Sequence, residues 1–164
     1  MTHRTPMIEW LEKNKDNLPK GKVLEFGYGN KDEFKNWFTN EGFEWTGLDK
    51  EPIKGILHMN IEDIEFKEEF DVIFSCHTFE HCENPIKVLR KIKEALKPHG
   101  KLIMATPLCT EDQILEGSDK DHIFVLNEWQ LQKILFYTGF HLALTGATGE
   151  HTRRDSIITV GGLE

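Results

Sequence analysis

Three observations predict an α/β fold for this chain: a doubly wound, mostly parallel seven-stranded sheet finished by an antiparallel C-terminal hairpin strand. Short β-branched and aromatic runs alternate with amphipathic helical stretches over most of the length. Glycine, proline and asparagine mark the joins between them. The last two apolar runs follow each other with only a polar connection between them, which suits a hairpin rather than a crossover.

Each element has its own local reason. Thr5-Pro6 reads as an N-cap followed by proline at the first helical position, with Met7, Ile8, Trp10 and Leu11 giving that helix its apolar face. Leu18-Pro19-Lys20-Gly21 stops it and leads into a strand carrying Val23, Leu24 and Phe26. Phe34, Trp37 and Phe38 recur at helical spacing before Gly42, and Glu44 to Leu48 is the second strand, ending at Asp49. Ile56 to Met59 is a short third strand, and Phe70 to Ser75 the fourth. Ile86, Val88, Leu89, Ile92, Ala95 and Leu96 define a long amphipathic helix stopped by Pro98-His99-Gly100. Lys101 to Ala105 is the fifth strand, closed by Thr106-Pro107, and the polar Leu108 to Asp121 segment is a loop or lid. Asn127 and Gln130 are a capping pair for a helix through Tyr137, and Phe140 to Thr145 and Asp155 to Val160 form the hairpin. There is no internal repeat, so residues 1–164 read as a single domain without a separate substrate domain.

Composition narrows the function classes. A formal charge of −8 argues against broad electrostatic attraction to nucleic acid. No apolar run approaches the roughly 20 residues a membrane-spanning helix needs, and Met1 to Pro6 lacks the apolar core of a signal peptide. Three cysteines with no C-x-x-C spacing point to reduced thiols and a cytoplasmic setting. A small-molecule substrate fits these bounds, and a homodimer is compatible with them.

The chain's centre of organisation is Lys22 to Asn30, K-V-L-E-F-G-Y-G-N. An acidic residue, Glu25, stands at the end of an apolar strand, just before Gly27 and Gly29, which allow a sharp turn and close approach of a ligand to the backbone. This stretch resembles motif I of the class I S-adenosylmethionine (AdoMet) methyltransferases, usually V-L-(D/E)-(I/F/L)-G-x-G-x-G, with Lys31 in place of the third glycine. The order of elements also resembles that family's minimal catalytic core. The ligand crevice of such sheets lies beyond the carboxyl ends of the strands. Asp49, twenty positions after Gly29, belongs there, where a carboxylate accepts hydrogen bonds from both ribose hydroxyls. By the same resemblance Lys50 covers the base with its aliphatic stem, Asn60 meets the adenine amino group, Ile61 offers its backbone N–H, and the backbone from Ser75 to His77 holds the methionine part.

Ser75 to Pro85 resembles the L-E-H-x-x-(D/N)-P signature of small-molecule methyltransferases, with Phe79 in place of leucine. It brings forward His77, Glu80 and His81 as catalytic candidates, a histidine being the natural general base near neutral pH. His81 has a structural alternative as a cap that orients the following helix. His77-x-x-Glu80-His81 with the later His122 also resembles the E-x-x-E-H plus histidine ligand set of two metal-dependent branches, with imidazole replacing one carboxylate. Glu80 and His81 are adjacent, so on a regular helix they diverge by about 100°. The sequence therefore favours a metal-free pocket, methylating an O or N acceptor of unidentified structure. Two rivals remain: a nicotinamide-dependent oxidoreductase, which lacks its third glycine near Asp32, and a non-catalytic cofactor-fold scaffold for a partner protein.

Overall fold

The computed structural model describes residues 4–107, 121–148 and 156–162. Helix α1 (Arg4–Asn14) precedes β1 (Lys22–Phe26), α2 (Glu33–Asn40), β2 (Glu44–Asp49), β3 (Leu57–His58), β4 (Phe70–Cys76), α3 (Pro85–Ala95), β5 (Leu96–Pro107), α4 (Glu128–Tyr137), β6 (His141–Thr148) and β7 (Ser156–Gly162). The strands lie in the order β3-β2-β1-β4-β5-β7-β6. β1 to β5 are parallel, and β7 runs antiparallel to both β5 and β6. The expected doubly wound sheet with an antiparallel C-terminal edge is the observed one. The lid segment expected over Leu108 to Asp121 falls almost wholly outside the described residues.

Alternation along the strands sorts the core into two layers, because successive side chains face opposite sides of a sheet. Val23, Val72, Phe74, Ile103 and Ala105 pack with Met7 and Leu11 of α1 and Phe34, Trp37 and Phe38 of α2. Leu24, Phe26, Ile73, Leu102 and Met104 pack on the other face with Val88, Leu89 and Ile92 of α3 and Leu131 and Leu135 of α4. Both faces are covered, which is why the central strands read as nearly continuous apolar runs.

Two boundaries differ from the sequence reading. α1 already includes Arg4, so Thr5 lies within the first turn rather than capping it. More substantially, Pro98-His99-Gly100 does not separate helix from strand. α3 ends at Ala95, and Leu96 is already extended and paired with Phe70. The next pair is Val72 with Lys101, so Lys97 to Gly100 bulge out opposite Asp71, with His99 at φ 64°. A proline is tolerated there because a bulged residue owes no ladder hydrogen bond. The Asp71 carboxylate fixes the bulge by accepting from the Lys97 ammonium at 2.7 Å and from the Lys22 N–H at 2.8 Å. By contrast, the Asn127–Gln130 capping box at the start of α4 is present with both reciprocal bonds.

This topology positions the site. Strand order reverses between β1 and β4, whose crossovers go to opposite faces, and a crevice opens there beyond their carboxyl ends. The loops leaving β1, β2 and β4 all discharge into it.

Candidate functional site

The loop after β1 turns through left-handed backbone at Gly27 (φ 74°), Gly29 (φ 61°) and Asn30 (φ 55°). Asn30 resolves the missing third glycine. Asparagine is one of the few residues with a Cβ that visits this region readily, so Lys31 can follow it without a glycine's freedom. The turn is stitched to β2 by Gly27 N–H to the Leu48 carbonyl at 2.9 Å. Asp49 completes the clasp, accepting from Gly29 N–H and Glu51 N–H, each at 2.9 Å.

These residues line a cavity of about 290 Å³ together with Lys50, Asn60, Ile61, His77, Thr78, His81 and Cys82. Six of the sequence-predicted cofactor positions, Gly27, Gly29, Asp49, Lys50, Asn60 and Ile61, therefore line one cavity, together with His77 and His81. The Asn60 amide oxygen already accepts from Glu62 N–H at 3.1 Å, capping the short turn Ile61–Asp63. Glu62 is buried rather than a solvated loop charge. Its carboxylate accepts from Asn84 N–H at 2.9 Å, tying that turn to the start of α3.

Three predicted residues stand behind the wall. Glu25 is 2% exposed, and its carboxylate accepts a bond from the Trp45 indole N–H at 2.9 Å. Ser75 is fully buried in β4, main chain included, and lies outside the cavity lining. Glu80 is 2% exposed and lies outside the cavity lining. Sequence reasoning missed Thr78 and Cys82 as lining residues. The rule that strand ends feed the crevice was enough to find Thr78, one residue past His77.

Cys82 is a wall and not a nucleophile. Burial, then the charges of Glu62 and Glu80, push its thiol up to about 12. Because this value exceeds the ordinary 9.0, the stability gained from the neutral buried thiol is complete below pH 9 and lost as pH climbs toward 12. At pH 8 iodoacetamide is expected to leave Cys82 of the folded protein unmodified over hours and to alkylate it after denaturation. Rapid labelling of the folded chain in peptide maps would show that the thiol is accessible.

At the edge of the cavity His77 and His81, which line it, form one cluster with Glu80 and His122, which do not. His77 sits at φ 53°, its N–H bound to the Ala105 carbonyl at 2.9 Å. Its Nδ1 lies 3.5 Å from Glu80 Oε1, and the Nε2 atoms of His81 and His122 lie 3.9 and 4.0 Å from the same oxygen. Glu80 and His81 approach although they are sequence neighbours. Phe79–His81 is a single 3₁₀ turn, which sets neighbours about 120° apart. The approach therefore comes from the side chains themselves, and His122 is brought to the same carboxylate by Ile123 N–H bonding the Glu80 carbonyl at 3.0 Å.

Comparison with known proteins places this geometry. A family profile described as a methyltransferase domain matches residues 2–144. A tRNA U34 carboxymethyltransferase of Pseudoalteromonas atlantica is 30% identical over 78 residues, which is 46% of this chain and 24% of that relative. The chain thus spans about a quarter of that protein's length. Among solved structures, the Burkholderia thailandensis 1,6-didemethyltoxoflavin-N1-methyltransferase, determined with 1,6-didemethyltoxoflavin and S-adenosylhomocysteine bound, superposes with a TM-score of 0.78. The match has 14% identity and covers 98% of this chain and 78% of that one. A chain from the complex between the Haloferax volcanii Trm112 methyltransferase activator and a methyltransferase gives 0.72 at 16% identity, covering 98% and 96%.

Proposed function

The chain belongs to the methyltransferase domain family, an AdoMet-dependent one, and on that premise we propose that it methylates an oxygen or nitrogen of a small molecule held at the His77–His81 end of the crevice. The observation that carries this reading is the continuity of the cavity. The glycine turn, Asp49, Asn60 and Ile61 line the same cavity as two imidazoles backed by a buried carboxylate.

The residues fit the cofactor. Asp49 holds the loop with one lone pair of each oxygen and keeps a second on each for the ribose hydroxyls. The stem of Lys50 and Ile61 would flank the base, while Asn60 and the Ile61 N–H would address its edge. The backbone of His77 and Thr78, at the end of β4, would receive the methionine end. AdoMet supplies an electrophilic methyl on a sulfonium. The protein's own tasks are to align the acceptor in line with it and to take the acceptor's proton. His77 and His81 are the bases within reach, and the Glu80 carboxylate behind them stabilises the imidazolium that forms.

The test is methyl transfer from radiolabelled AdoMet to a panel of small phenols, amines and heterocycles, run beside total tRNA. Incorporation into a small molecule is expected. His81→Ala should lower turnover about 100-fold while S-adenosylhomocysteine affinity stays within threefold. Label entering tRNA alone would overturn the small-molecule reading.

A further inference from the structure

Glu25 leads into the glycine turn, yet it is 2% exposed and does not line the cavity. Its carboxylate turns instead toward β2, where the Trp45 indole N–H, a donor only, bonds it at 2.9 Å. Strand register shows how the two meet. Trp45 stands opposite Val23 on β1, and Glu25 stands opposite Gly47. Trp45 and Gly47, two positions apart, share one face of β2. A Cβ on Gly47 would lie 2.4 Å from Cη2 of the indole, so the missing side chain leaves the lane through which Trp45 reaches Glu25.

The same indole touches the turn from behind. Tyr28, which stands between Gly27 and Gly29 and is buried, has its ring 5.5 Å from that of Trp45. The Tyr28 hydroxyl donates to the Asp32 carboxylate at the N-cap of α2. The Lys35 ammonium lies 3.5 Å from Asp32 and 5.3 Å from the centre of the Trp45 ring, where an indole face attracts a cation. Contacts therefore run from Glu25 through Trp45 to Tyr28, and close on themselves through Asp32 and Lys35.

We infer that Trp45 is a positioning residue for AdoMet: anchored by Glu25, it braces Tyr28 and so fixes the turn that brings Gly27 and Gly29 to the cofactor. That turn runs through left-handed backbone at both glycines. Glycine leaves this conformation freely, so a brace that holds it before the ligand arrives saves the cost of ordering the loop on binding. The acid ahead of the glycines then serves as the acceptor for an indole rather than as a contact of the cofactor. None of this depends on the methyl acceptor.

The test is calorimetric titration of the full chain with S-adenosylhomocysteine, each variant first shown to be folded by circular dichroism. Trp45→Phe keeps an aromatic ring and removes the donor, Glu25→Leu removes the acceptor, and Gly47→Ala crowds the indole. Each should weaken binding about 10-fold, the order expected for losing one such hydrogen bond. Trp45→Phe combined with Glu25→Leu should bind no more weakly than the worse of the two, since both break one contact. Glu25→Gln keeps an acceptor oxygen and should recover most of the loss seen in Glu25→Leu. In ¹⁵N spectra the indole N–H of Trp45, identified by its disappearance in Trp45→Phe, should shift on ligand addition although Trp45 lies outside the cavity lining. Affinity as low in Glu25→Gln as in Glu25→Leu would make the charge itself the contact and overturn the assignment. Additive losses in the double variant, wild-type affinity in Trp45→Phe, or an indole resonance unmoved by saturating ligand would overturn it as well.

Discussion

Replacing Asp49 with alanine should weaken S-adenosylhomocysteine binding about 30- to 1,000-fold, roughly 2–4 kcal/mol. Two losses combine in that range. The ligand gives up two charge-assisted bonds to its ribose, and the protein gives up the clasp that holds Gly29 N–H and Glu51 N–H, each 2.9 Å from the carboxylate. Asp49→Asn separates them. It retains one acceptor oxygen but turns an NH₂ group toward a backbone N–H, so the loop loses one anchor and meets a donor in its place. Affinity intermediate between wild type and Asp49→Ala is expected by calorimetry. Equal affinity in wild type and Asp49→Ala would remove the ribose assignment.

How far the site was legible follows from which signals are local. Gly27, Gly29 and Asp49 were readable because a strand end, a glycine turn and an acid at the next strand end need only sequence spacing and the parallel-sheet rule. The Asn127–Gln130 capping box was readable for the same reason, its two bonds spanning a single helical turn. Glu25 was misplaced because its partner, Trp45, lies on the neighbouring strand, and register between strands is invisible to a one-dimensional reading. The bulge from Lys97 to Gly100 depends on Asp71, and the convergence on Glu80 depends on His122, both far along the chain. Pro98-His99-Gly100, a terminator by composition, serves a bulge between Leu96 and Lys101. At Glu80-His81 backbone angle alone does not predict the approach, because side-chain torsions and the distant His122 bring the groups together. In each of these cases a long-range partner decided the outcome.

Gly27→Val should abolish cofactor binding, a loss beyond about 1,000-fold or roughly 4 kcal/mol, and should also lower the thermal midpoint. Two independent obstacles meet at this position. At φ 74° a β-branched side chain sits in a region it rarely adopts. A Cβ built there comes 2.0 Å from Thr78 Oγ1 and 2.6 Å from Thr78 Cβ. Thr78 has no long flexible stem to swing aside, so the backbone after β4 has to yield. That backbone leads directly into the turn carrying Glu80 and His81, and the disturbance therefore reaches both ends of the crevice. To the turn and close approach that the sequence assigns to Gly27, the Thr78 contact adds a stability cost. Pairing Gly27→Ala with Thr78→Gly distinguishes the two obstacles, since it removes most of the steric clash but not the left-handed strain. The double variant should regain part of the lost midpoint over Gly27→Ala alone while still binding S-adenosylhomocysteine more weakly than Thr78→Gly alone. Near-normal binding by Gly27→Val would mean that the β1 turn does not approach the cofactor at all.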